Sequence, residues 1–362
     1  MHIIISYAII DFLIEKDLKD VNFMLKFSTV LLFGLASVTA SITSFAEEVN
    51  IYSARKEALI KPLLDSFTEQ TGIEVNLITG KADALLKRLV AEGQNSPADL
   101  FLTVDAGRLH RAKEAHVLQA ISNQELEAAV PVTYRDSEGF WYGLSLRARV
   151  FAYSNERVQA SELTSYEDLA NSKWGKRICI RSSDNVYNQS LVASMIEANG
   201  EEATEKWAES LVANMARKPK GGDRDQIKAV AAGQCDLAVI NTYYYDQMLA
   251  SPDESEAQAA KKTSLFWPNQ DDRGTHINVS GAGVTAHAKN KAAAVKLLQH
   301  LLSAESQKWY GEVNFEYPVQ TSVESSETLK GWGDFKADNL NIDKLGSNNA
   351  AAVMLMDRAG WK

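Results

Sequence analysis

The tightest constraint on the fold is a rhythm. Short apolar runs of strand length alternate with amphipathic stretches of helical length, first over residues 49–104 and again over 177–249. "VNIYSA" reads as a strand. "EALIKPLLDSFTEQTG" follows as a helix, with Leu59, Leu63, Leu64 and Phe67 on one face and Gly72 as its stop. "IEVNLIT" is a strand, "ADALLKRLVAEG" a helix with Leu85, Leu86, Leu89 and Val90 inward, and "ADLFLTV" a strand again. The later block repeats the pattern: "KRICIRSS", "NVYNQSLVASMIEANG", "EEATEKWAESLVANM", "DQIKAVAAG" and "CDLAVI". Such alternation predicts an α/β chain, each block a mainly parallel sheet flanked by helices.

Between the blocks lies "WYGLSLRARVFAYSN", an extended segment that would cross from one lobe to the other, with a return near "HINVSGAGV", residues 276–284. The expected division is 47–146 with 280–322 as the N-terminal lobe and 147–279 with 323–362 as the C-terminal lobe. The Ser/Gly/Asn-rich stretch 321–349 reads as surface connection, and "AAVMLMDRAGW" as a closing helix.

Residues 1–46 form a signal region and are set apart from the fold. From Met24, "MLKFSTVLLFGLASVTASITSFAEE" shows a lysine, a short apolar core and small residues before a cut after Ala46, which is the layout of a secretory signal peptide over 24–46. Residues 1–23 do not resemble the start of one. The rest of the chain has no apolar stretch long enough for a membrane span. A formal net charge of −9 argues against a nucleic-acid surface. No cysteine stands directly after the expected cut, where Glu47 lies, so no lipid anchor is expected. An exported, acidic monomer without stable membrane insertion is the reading.

Ligands of open α/β sheets sit beyond the carboxyl ends of the strands. Three such ends are chemically distinctive: Tyr52 to Arg55, Arg181 to Tyr187, and Asn241 to Tyr245. Three phenols in a row follow the last of these. A phenol ionises near pH 10, so a phenolate at neutral pH needs a strong positive neighbour. Fe³⁺ is such a neighbour, and hard phenolate oxygen suits a hard cation. Helices starting near Asn241 and after Asn185 would put Tyr243, Tyr244 and Tyr187 in first turns, where the helix dipole favours an anion. Adjacent tyrosines can equally be half-buried aromatics with wet hydroxyls. The histidines show no metal-type spacing, and no GxSxG, P-loop or CxxC pattern occurs. That shifts the balance from enzyme toward binding protein.

The chain resembles the periplasmic ferric-ion-binding proteins that serve ABC iron importers. The resemblance runs through "VNIYSARKE", "NSPADLFLTVDAGRL", "LSLRARVFAYSN", "KRICIRSSDNVYNQSLVAS", "GQCDLAVINTYYY", "SGAGV", "FEYPV" and "RAGWK". It implies a two-lobed periplasmic-binding-protein clamshell of type II, hinged on two crossing strands, that holds Fe³⁺ in its cleft and passes it to an inner-membrane permease without catalysis. It implies Tyr187, Tyr243 and Tyr244 as metal ligands and Tyr245 as packing. The family's first-lobe histidine or histidine–tyrosine ligands have no counterpart, since "YSARKE" carries Lys56 and Glu57 there. Open coordination positions are filled in the family by a synergistic anion, often carbonate.

Arg55, Arg147 and Arg149 are the candidates to hold that anion, because guanidinium grips planar oxyanions through paired hydrogen bonds. An interlobe salt bridge is the alternative for all three. Tyr52, Tyr142, Asp105 and Asn241 are weaker candidates, as cleft lining. Cys179 and Cys235 each lie eight residues before a proposed ligand, Tyr187 and Tyr243. On adjacent parallel strands they would sit at similar heights and could form a disulfide in an oxidising compartment. The alternative is two buried thiols packed as small apolar residues. Two other functions remain open on sequence: a clamshell for an organic or oxyanion cargo, and an exported enzyme using Tyr187 or Tyr244 as acid or base.

Overall fold

The computed structural model describes residues 47–362; the signal-peptide expectation and its cut after Ala46 lie outside them. Along the chain, β1 (Glu48–Ser53) leads through a turn to α1 (Lys61–Thr71), followed by β2 (Glu74–Thr79), α2 (Ala82–Glu92), β3 (Leu100–Val104), α3 (Ala106–Glu114) and α4 (Gln124–Ala129). The long β4 (Tyr142–Ser154) crosses to β5 (Ile178–Cys179), α5 (Val186–Asn199), α6 (Glu201–Asn214), α7 (Asp223–Ala231), β6 (Leu237–Asn241), α8 (Thr242–Leu249), α9 (Glu254–Lys261) and β7 (Thr263–Phe266). Then come β8 (Ile277–Val284), α10 (Lys291–Leu301), α11 (Ala304–Val313), β9 (Tyr317–Pro318), α12 (Glu327–Lys330), α13 (Asp343–Ser347) and α14 (Asn349–Arg358).

The strands run in the order β2-β1-β3-β8-β4-β6-β5, with β7 and β9 also on β4. Each wing has a parallel pairing, β1 with β2 and β3 in one and β5 with β6 in the other. The two connecting strands run antiparallel to their neighbours. Residues Tyr142–Ala148 of β4 pair with β8, and Arg149–Tyr153 pair with β6. One strand thus belongs to both wings and changes partner at Ala148/Arg149, as expected of a crossing hinge strand. The sheet is mixed because β4 and β8 run antiparallel to the strands beside them.

Two apolar cores flank this hinge. One fills the first wing, around Phe67, Phe101, Trp141 and Leu297, and runs through the hinge into the second wing as far as Ile227, Val230 and Ile240. The other surrounds Trp174, Leu191, Trp207 and Trp361 in the second. Three local expectations need correction. Leu59 is not on α1: Pro62 sits in the first helical turn, where its missing N–H costs nothing, and the helix starts at Lys61. Val90 is 54% exposed, because Ala82, Leu85 and Leu89 already form the buried stripe of α2. The stretch 321–349 is more than surface connection, since Leu329, Ile342 and Leu345 are buried in it. Its α13 packs on both α3 and α5. The approach is close enough that a Cβ at Gly346 would lie 2.1 Å from the His110 side chain.

The disulfide forms. Cys179 and Cys235 are bonded, with Cα atoms 5.8 Å apart. Cys179 ends β5, which pairs with β6 at Ala238. The bond ties together the starts of the two segments that carry Tyr187 and Tyr243.

Candidate metal centre

A cleft of about 460 Å³ opens beside the hinge. Its second-lobe wall is made by Tyr187, Tyr243 and Tyr244. Tyr187 is the second residue of α5, and Tyr243 and Tyr244 the second and third of α8. Both helices therefore point positive ends toward the cleft. The Tyr243 and Tyr187 hydroxyls are 3.3 Å apart, and the Tyr243 and Tyr244 rings lie with centroids 4.2 Å apart. Burial pushes the Tyr243 phenol well above its ordinary pKa, and Tyr187 and Tyr244 push it further. Tyr244 is raised by burial and by Tyr187. Without a cation both are neutral donors. A small cation of high charge would reverse that, because oxygens this close can ionise together only around it.

Tyr245 turns the other way. Its hydroxyl donates to the Ala260 and Thr263 carbonyl oxygens, and its ring packs on Trp332. Among the described residues, no group of three or more His, Cys, Asp or Glu side chains is placed to hold a metal.

The first-lobe wall is built on a buried ion pair. Glu316 accepts from Arg55 Nη2 at 2.5 Å, from Arg147 Nη2 at 3.0 Å and from Ser145 Oγ at 2.6 Å. Burial raises the Glu316 carboxyl, but Arg55 and Arg147 outweigh it and hold the pKa below the usual range. Ser280 Oγ accepts from both arginines. Arg147 Nε and Nη1 have no partner among the described residues, although the residue is 1% exposed and lines the cleft. Its guanidinium lies 5.8 Å from the Tyr243 ring centre, and that of Arg181 equally far from Tyr187.

Several expected residues sit elsewhere. Arg149 does not reach the cleft: it donates to Asp223, Asn241 and Asn188 behind the phenols. Two residues on from Arg147, it belongs to the part of β4 that has already changed partner. Arg55 lines the cleft, but its fork is engaged by Glu316, Ser280 and the Leu59 carbonyl. Tyr52 is no cleft residue, since its hydroxyl meets Glu92 and Arg88 lies over its ring. Tyr142 donates to the Ile121 carbonyl inside the first core. Asp105 is buried behind the wall, accepting from Ser190, Asn278 and the Gly107 N–H. Asn241 precedes α8 without a side-chain cap, because its oxygen accepts from Arg149 instead.

Sequence reasoning passed over Asp223 and Glu316. Asp223 takes Arg149, Arg181 and the Asn241 N–H, so it fixes the strand end from which the tyrosines project. Nothing local marks it. Glu316 stands in "FEYPV", next to a bulky residue, and that stretch was the available signal.

Residues 95–339 match the family model for bacterial extracellular solute-binding proteins. The Synechocystis iron uptake protein A1 is 46% identical over 87% of this chain and 88% of its own length. The Serratia marcescens Fe(3+)-binding periplasmic protein is 31% identical, over 93% and 96%. A solved Trichodesmium structure, FutA (IdiA) in complex with iron and citrate ligands, is 50% identical, with a TM-score of 0.85 over 87% of this chain and all of that one. With more than half of its length matched and relatives this similar, the chain belongs to the bacterial extracellular solute-binding protein family.

Proposed function

We propose that this protein captures ferric iron in the periplasm and hands it to the inner-membrane permease of an ABC importer. Tyr187, Tyr243 and Tyr244 bind Fe³⁺ as phenolates. An anion, carbonate or a larger carboxylate, occupies the remaining positions and is held by Arg147, with Arg181 beside it and Arg55 behind. The two lobes close over the cargo and open at the permease, a hinge motion suited to β4 and β8. The family is one of binding proteins, so the task is capture and transfer, not catalysis.

The convergence of three phenols at one cleft wall carries this reading, with Tyr243 and Tyr187 oxygens 3.3 Å apart. An iron uptake protein 46% identical over 87% of this chain supports it. Such oxygens gain from meeting around a trivalent cation, which offsets their charge. The test is colour and stoichiometry. Fe³⁺–phenolate should give a visible absorption band at one iron per chain. A colourless protein that takes up no iron would end the proposal. An oxyanion cargo would bind without a band.

A further inference from the structure

Behind the phenols, one guanidinium reaches both helices that carry them. Arg149 Nη1 donates to Asn241 Oδ1 at 3.0 Å, and its Nη2 donates to Asn188 Oδ1 at 2.6 Å. Asn241 directly precedes α8, with Tyr243 two residues on; Asn188 is the third residue of α5, next to Tyr187. All three residues are buried. Arg149 is itself pinned. Its N–H donates to the His276 carbonyl oxygen at 3.0 Å, its carbonyl oxygen accepts from the Tyr166 hydroxyl, and its Cα faces that of Asn241 across β4 and β6. Asp223 balances its charge, accepting from Nη1 at 3.0 Å.

The ion pair with Asp223 would balance a buried arginine without the asparagines. The two further bonds draw on the helices. Asn is among the preferred N-cap residues, yet Asn241 makes no cap bond on α8, because its oxygen is turned to Arg149. α5 also starts without a side-chain cap, and its approach is held instead by Asn188, whose Nδ2 donates to the Arg181 and Ser182 carbonyl oxygens at 2.9 and 3.1 Å. Both helix starts are thus referred to one rigid, planar fork, which fixes the distance between its two arms. The single ammonium of a lysine has no such fixed pair of donors.

Resting on the iron reading above, we propose that Arg149 is a positioning residue: acting through Asn188 and Asn241, it holds Tyr187 at the spacing from Tyr243 that a single metal ion needs. The Tyr187 and Tyr243 hydroxyls, 3.3 Å apart, stand beyond the ends of the two arms. Metal ligands have to be held to within about 0.5 Å, and that precision comes from buried partners behind them. Arg149 does not line the cleft, so its effect on the metal passes through these contacts. Its guanidinium also lies 5.9 Å from the centre of the Tyr187 ring, a contact that phenylalanine at 187 would keep.

The experiment is a double-variant cycle on the mature protein, read as Fe³⁺ affinity by competition with a chelator. Asn188→Leu cuts the arm to α5 and leaves the arm to α8. It should weaken iron binding about tenfold, the lower end of what outer partners of a ligand contribute. In a Tyr187→Phe background, which keeps the ring and deletes the oxygen to be placed, the same substitution should cost no more than about twofold, the scatter between independent sites. An equal loss in both backgrounds, or none in either, would overturn the proposal, since general damage to the fold is indifferent to that oxygen. A second variant, Arg149→Lys, keeps the charge and loses the fork. At one iron per chain its visible band should move from the wild-type wavelength. An unmoved band at wild-type affinity overturns the proposal too; should this variant not fold, the Asn188 cycle decides alone. A wild type without a visible band removes the iron reading as well, whereas a band with equal losses across the cycle removes only this inference.

Discussion

On the second-lobe wall of the cleft, the oxygens of Tyr243 and Tyr244 are neutral until a cation arrives, kept so by burial and by the neighbouring Tyr187. On the facing wall, Arg55, Arg147 and Glu316 are charged from the start, each balanced by the others in a buried network. The phenols would acquire their charge with the cargo, beside Arg181, Asp223 and Asp225 on the same wall, whereas the Arg55, Arg147 and Glu316 network holds its charge pattern before the cargo comes. The division suits reversible capture. A wall of permanent carboxylates would attract any cation, whereas phenols ionise only for one that binds oxygen strongly enough to displace their protons. Fixed charges opposite them set a permanent field across the cleft.

The sharpest way to break this contrast is to delete the latent charge. The Tyr243→Phe, Tyr244→Phe double variant keeps both rings and removes two oxygens. Loss of outer-shell partners alone costs about 10–100-fold in metal affinity, so losing two ligands should cost more than about 10⁴-fold. The visible band should vanish on titration with a competing chelator. Retained affinity would mean that the phenols are cleft lining and nothing more.

The fixed wall should answer differently. Glu316→Gln leaves two buried guanidiniums without their carboxylate. Breaking a buried ion pair from one side costs about 3–5 kcal/mol, so the expected loss is in folding stability, read by chemical denaturation. If the variant is as stable as wild type, the network is not what holds this wall.

Proton linkage sharpens the comparison further. The free protein carries protons on Tyr243 and Tyr244, because their pKa values are raised. The proposed iron-bound form would carry none there. Binding therefore releases at least two protons, affinity rises with pH, and lowering the pH weakens it by about 10²-fold per unit. Competitive titrations between pH 6 and 8 measure the slope. A slope near zero would mean that the phenols bind iron without ionising.

Legibility in the sequence followed the same divide. The strand-helix rhythm, both crossings and the disulfide were readable because each depends on local pattern or on spacing along adjacent strands. The tyrosines were readable because strand ends of an α/β sheet are where ligands sit. The arginines were only half readable. Arg147 and Arg149 share a strand face in an alternating pattern, yet β4 changes partner between them, and a partner change leaves no mark in the residues themselves. Asp223 and Glu316 act through contacts 74 and 261 residues away in sequence, beyond what periodicity records. Tyr52 and Tyr142 show that proximity to a motif does not place a side chain in the cleft.

Tyr245 gives the smallest expected effect and the most specific one. It stands next to two proposed ligands on α8, with the same chemistry, yet its hydroxyl is spent on the carbonyl oxygens of Ala260 and Thr263. Successive residues of a helix point about 100° apart, so the third phenol faces α9 while the first two face the cleft. Tyr245→Phe should therefore leave the visible band and iron affinity unchanged. It should cost about 1 kcal/mol of stability for the hydrogen bonds lost, with part of that offset because the ring and its packing on Trp332 remain. Urea denaturation of iron-free protein measures the second quantity and an iron titration the first. A band weakened by this substitution would place all three phenols in one functional set, and the contrast between helix faces would fail.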